Sequence, residues 1–141
     1  MNEENLWGDL PIEEKIETPA SILRAQAVAL KKATKGILDA RVVQGTWDDD
    51  LTFEFRIVAP ALGNYSAAIL EIRQPITLYP LRVTAPMMDG FQRVENAEEF
   101  KETLKTVLQS QKVRQIVSGL LTQSHDAGVA TKSSPASSAS A

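Results

Sequence analysis

The sequence predicts an α+β fold: an N-terminal helix, a four-stranded antiparallel meander sheet, and one broken or two short C-terminal helices. Three observations lead there. Apolar residues recur at helical spacing near both ends of the chain. Between them, residues 39–84 break into short segments rich in β-branched and aromatic residues, one of which alternates cleanly. The connections between those segments are too short for parallel crossovers, which leaves a meander.

The first helix has a clear start. Thr18 is a good N-cap, because its hydroxyl can accept a free backbone N–H, and Pro19 suits the first helical position, where its missing N–H costs nothing. In the run that follows, Leu23, Ala27, Leu30 and Ile37 form one apolar stripe, widened by Ala25, Ala29 and Ala33. Gly36 marks a weak last turn.

Four strands are expected next. "DARVVQGTW" is the first, with Asp48, Asp49 and Asp50 as a polar turn after it. In "LTFEFRIVA", Leu51, Phe53, Phe55, Ile57 and Ala59 face one way and Thr52, Glu54 and Arg56 the other. After the turn residues Pro60, Gly63 and Asn64 comes "YSAAILEIR", apolar on both faces and therefore central. "ITLYPLRVT" is the fourth; Pro80 cannot donate to a ladder, which places it at an edge or bulge. "APMMDGFQRVEN" reads as irregular. Asn96 with Glu99 forms a capping-box pattern ahead of Phe100, Leu104, Val107 and Leu108. Ser110 breaks or recaps the helix, and the apolar pattern continues to about Gln123. The first helix can cover one sheet face, and the C-terminal helices part of the other or one end.

These elements place one domain over residues 19–125, with an acidic arm at 1–18 and a Ser/Ala-rich, disordered tail at 126–141. Of the 141 residues, the first 18 hold six acids and one lysine, a net of −5. Residues 19–141 hold 12 acids and 14 bases, a net of +2, and so exert little general pull on nucleic acid. Cysteine is absent, which suits a cytoplasmic location. No apolar run approaches the ~20 residues of a membrane span, and the start lacks the basic-then-apolar pattern of a signal peptide.

Chemistry-bearing constellations are few. The single histidine, His125, sits at the edge of the tail, where a solvated side chain is expected. The Asp48–Asp50 run lacks the spaced ligands and glycine of a calcium loop. No glycine pattern supports a phosphate cradle. The expectation is therefore a protein that is not an enzyme and holds no cofactor or metal.

Three surfaces remain as candidates. Leu6, Trp7 and Leu10 in the acidic arm either fold back onto the domain or a second copy, or anchor a short linear motif for a partner groove. Arg24, Lys31, Lys32 and Lys35 crowd the polar side of the first helix, as a solvated face or a phosphate-tracking stripe. Tyr65, Arg73 and Tyr79 are candidates to line a ligand cup between sheet and helix, with Met87 and Met88 nearby.

"TPASILRAQAVALKKATKGILDARV" resembles the start of small bacterial proteins of unassigned function that carry a similar TP-x-SIL-x-x-QA run. "FRIVAPALGNYSAAILEIR" and "EEFKETLKTVLQSQKVRQIVSGLLTQS" fit the strand and helix portions of the same kind of protein. The likeness spans roughly residues 18–124, implies a cytosolic bacterial protein, and assigns no functional residue. The leading expectation is a small cytoplasmic interaction protein acting through protein–protein contacts, with possible self-association. A small-molecule binding module is the alternative, and a nucleic-acid binder using the first helix is a further one.

Overall fold

The computed structural model describes residues 4–12 and 17–132. Its order is α1 (Pro19–Ala33), β1 (Asp39–Trp47), β2 (Asp50–Ala59), a 3-10 turn (Pro60–Leu62), β3 (Tyr65–Gln74), β4 (Leu81–Thr84), β5 (Gln92–Val94), α2 (Ala97–Leu108) and α3 (Gln111–Lys132). The strands form one antiparallel meander in sequence order. The sheet thus has five strands where four were expected. β5 lies in the stretch read as irregular, since three residues are too few to display an alternation. β4 is shorter than expected; Ile76–Pro80 form its approach, with a cis peptide at Tyr79–Pro80.

Thr18 caps α1 as expected, its Oγ1 accepting from Ser21 N–H at 3.0 Å. The helix stops at Ala33, short of Ile37. Thr34 donates its hydroxyl to the Leu30 carbonyl at 3.0 Å and accepts from Leu38 N–H at 3.1 Å. Lys35 (φ 53°) and Gly36 (φ 82°) then take left-handed conformations, and Gly36 N–H reaches back to the Lys31 carbonyl at 2.8 Å. Ile37 falls outside the helix, 44% exposed. The buried face of α1 is Ala20, Ile22 and Leu23; Ala25, Ala29 and Ala33 are exposed rather than part of the core stripe.

The β1–β2 hairpin turns on two residues, Asp48 (φ 57°) and Asp49, with Trp47 opposite Asp50. Asp50 therefore belongs to β2. In β3, the ladder passes from Phe55↔Leu70 to Arg56↔Ala68, leaving Ile69 as an inserted residue. Ile69 and Leu70 are both buried, at 0% and 3% exposure. This bulge accounts for the doubly apolar look of the strand, which is central in the sheet without being covered on both sides.

All three helices lie on one face. Residues that pair across strands share a face, and the helix-side set includes Ala40, Phe53, Phe55, Ile57, Leu70, Ile72, Leu81, Val83 and Val94, all buried. Leu23, Phe100, Leu104, Val107, Val113 and Leu120 complete this core from the helices. Gln92, on the same face, donates to Thr103 of α2 at 3.1 Å. Tyr65 and Ala67 line a groove with Ile116, Gly119 and Leu120 of α3. The C-terminal helices thus reinforce the side α1 already covers, and among the described residues the opposite face stays open.

Asn96 caps α2 through Glu99 N–H at 2.9 Å. The Glu99 carboxylate in turn accepts from Glu95 N–H, one residue ahead of the cap, also at 2.9 Å. Ser110 does both things expected of it: its hydroxyl donates to the last turn of α2 (Val107 carbonyl, 2.7 Å) and accepts from the first turn of α3 (Val113 N–H, 3.3 Å). α3 then runs to Lys132, past the tail boundary drawn at 126. An established helix propagates readily, and Ala127 and Ala130 are strong helix formers. The rest of the expected tail, 133–141, and residues 1–3 and 13–16 of the arm lie outside the described residues.

Candidate interaction surfaces

The open sheet face is charged. Arg73, Arg82 and Arg93 stand directly opposite one another across β3, β4 and β5. Like charges in facing positions destabilise a sheet, so each needs a neighbour. Arg73 pairs with Asp50 at 2.8 Å and lies over Trp47, 5.6 Å from the ring centroid. Arg93 pairs with Glu95. Arg82 has the Phe91 ring, 4.7 Å from its guanidinium carbon, and no ion pair with a described carboxylate. Trp47, Arg73, Glu71, Arg82, Thr84 and Phe91 are among the walls of a cleft of about 450 Å³ on this face. Trp47 and Phe91 remain 62% and 54% exposed.

The three candidates for a ligand cup are not brought together. Arg73 faces the open side of the sheet. Tyr65 begins β3 on the helix side, in the groove beneath α3. Tyr79 lies in the approach to β4, its hydroxyl buried without a hydrogen-bond partner among the described residues. Burial pushes the Tyr79 phenol above its ordinary pKa, and the nearby Glu17 carboxylate adds to the rise. The bulge at Ile69 and the loop course of 76–80 separate these groups, and neither is visible in the spacing of the sequence.

Arg24, Lys31, Lys32 and Lys35 are all exposed. They do not form one helical stripe, because Lys35 lies beyond the end of α1. Lys31 reaches Asp39 at 3.7 Å. His125 is exposed on α3. Among the described residues there is no group of three or more His, Cys, Asp or Glu placed to hold a metal ion, and no helix is long and apolar enough to cross a membrane.

Among the described residues of the arm, four large apolar side chains are exposed to water. Leu6 is 83% exposed, Trp7 78%, Leu10 53% and Ile12 86%. Trp7 N–H bonds to Asn5 Oδ1 at 2.9 Å and Ile12 N–H to the Leu10 carbonyl at 2.8 Å, so the segment is bent locally without packing on the domain. Ile12 is exposed alongside the three candidates read from the sequence; the Pro between it and Leu10 hides the grouping. The open-face pair Arg82–Phe91 carries no signal in the sequence, since only the β3–β4–β5 register brings it beside Trp47. No family model, no curated protein and no solved structure matches the chain.

Proposed function

We propose that the chain is a small, non-enzymatic cytoplasmic interaction protein whose acidic N-terminal arm presents an apolar motif to a protein partner. The supporting observation is the exposure of Leu6, Trp7, Leu10 and Ile12 on a chain whose buried core, among the described residues, begins at Pro19. A cluster of large apolar side chains in water is a common mark of a contact surface. The surrounding acids keep the segment hydrated and would set orientation and encounter rate more than affinity. A peptide of residues 1–18, immobilised in an extract of the source cells, should retain a partner that Leu6→Ala/Trp7→Ala/Leu10→Ala loses. In the full chain with Trp47→Phe, Trp7 should emit as a hydrated indole and shift to the blue when that partner is added. Equal retention by the two peptides would sink the reading.

A second reading has its own support: the cleft that holds Arg82 over Phe91 suits a small ligand joining an anionic group to an apolar ring. It replaces the cup between sheet and helix. A thermal-shift screen with aromatic carboxylates should give stabilisation that Arg82→Ala abolishes; stabilisation unchanged in that variant would rule the cleft out.

A further inference from the structure

We propose that β1 is the seam of a homodimer, its free edge pairing antiparallel with β1 of a second copy about a two-fold axis at Val43. This rests on the reading of the chain as an interaction protein and names a second copy as one partner.

The two edges of the sheet are unlike. Each has a helix beside it, α2 at β5 and α1 at β1, but β5 has only three residues. β1 has nine and, among the described residues, pairs only with β2. Alternate residues of a strand send their N–H and C=O groups to opposite neighbours, so about half of those on β1 point outward with no strand to receive them. Edges that must stay single are usually blunted by proline, lysine, a bulge or brevity. β1 has none of these: its ladder with β2 is unbroken from Asp39↔Val58 to Trp47↔Asp50. Its charges are Asp39, which meets Lys31, and Arg41. Val43 and Trp47 stand 46% and 62% exposed on the strand.

The strand suits itself as a partner. Laid antiparallel about Val43, all nine residues pair. Val43 meets Val43, Asp39 meets Trp47, and Arg41 meets Gly45, so no like charges face each other. Gly45 is held side-chain-free from within the chain, since a Cβ there would lie 2.9 Å from Thr52 Oγ1. The same bare spot leaves room for the Arg41 stem of the second copy. The pairing is isologous and closes on itself, which limits growth to a dimer.

The chain has no cysteine, so single cysteines read the contact directly. Val43→Cys should give a disulfide-linked dimer under mild oxidation, because facing residues in an antiparallel pair lie ~4.5–5.5 Å apart between Cα atoms, within disulfide range. Arg41→Cys and Trp47→Cys should stay monomeric on a non-reducing gel; in this register each residue lies roughly 13 and 26 Å from its own copy along the strand. Sedimentation equilibrium should show a dimer for the unmodified chain. Val43→Lys, which faces Glu54 within the chain but its own copy across the seam, should shift it to monomer with its circular dichroism unchanged. A monomer at several hundred micromolar overturns the proposal and leaves the edge to a strand of another protein. A crosslinking maximum at Arg41 or Trp47 overturns the Val43 axis. Loss of the dimer on deleting residues 4–12, with Val43→Cys unlinked, overturns the β1 seam and moves the contact to the arm. Only the last of these outcomes bears on the arm, and peptide capture tests the arm–partner reading separately.

Discussion

Glu17 Oε1 lies 2.9 Å from Lys101 Nζ, tying the residue ahead of the α1 cap to α2. The same carboxylate raises the pKa of Tyr79. One acid at the root of the arm therefore pairs with α2 and acts through its charge on the approach to β4, although the arm beyond it makes no ion pair among the described residues.

Tyr79 should show this in its titration. With Tyr65→Phe to isolate it, the phenol should ionise at a midpoint above 10.0, followed by absorbance near 295 nm. Glu17→Gln should lower that midpoint part of the way, because burial, the larger cause, remains. Lys101 is also raised above 10.5 by its bond to Glu17. In both cases the folded chain keeps a proton that the unfolded chain has lost. Stability is then full below pH 10 and falls as pH climbs through the raised values. A denaturant midpoint that stays flat as pH climbs well past 10 would contradict the Tyr79 assignment.

Phe53 and Phe55 fill the centre of the helix-side face at 5% and 2% exposure. Phe55→Ala and Phe53→Ala should each cost about 3–5 kcal/mol in urea unfolding. Trp47→Ala, on the open face, should cost less than half as much despite removing a larger ring. Equal losses would mean that the open face is covered in solution.

The caps can be tested singly. Asn96→Ala should lower stability by about 1 kcal/mol and Asn96→Asp should be nearly neutral. Ser110→Ala removes one hydroxyl that serves two helices, so its cost should be at least that of Asn96→Ala. A neutral Ser110→Ala would show that α2 and α3 end and begin independently.

The basic residues near α1 should not confer nucleic-acid binding. Lys31 is engaged with Asp39, and Lys35 lies off the helix. Fluorescence anisotropy with single- and double-stranded DNA or RNA should show no salt-sensitive binding at physiological ionic strength. Sub-micromolar binding lost in Lys31→Glu/Lys35→Glu would reverse that conclusion.

Where a local pattern determined a feature, the sequence displayed it. The bounds of β1 are those of "DARVVQGTW", and β3 differs by one residue at its end, because each lies between turn residues whose chemistry is local. Thr18, Asn96 and Ser110 act as caps within four residues of their own positions. What stayed hidden depends on distance. β5 is too short to carry a period and exists because β4 offers it an edge. The three helices share one face because of how the chain returns after β5, which no residue announces. The Arg73–Arg82–Arg93 row is set by register across three strands. The ligand-cup residues Tyr65, Arg73 and Tyr79 looked close in sequence, but strand length and side-chain parity hold them apart.

Ile69 gives that parity a further meaning. Read without an inserted residue, β3 would turn over beyond Leu70: Tyr65 and Ala67 would join Glu71 and Arg73 on the open side, and the groove under α3 would lose its sheet wall. With the insertion, the two halves of the strand run out of phase, and each presents small or apolar residues to a helix. In evolutionary terms, position 69 is where this strand can lose a residue without inverting. A deletion there sacrifices one buried side chain and keeps every other residue on its present face, whereas a deletion anywhere from 71 to 73 flips part of the strand against the helices.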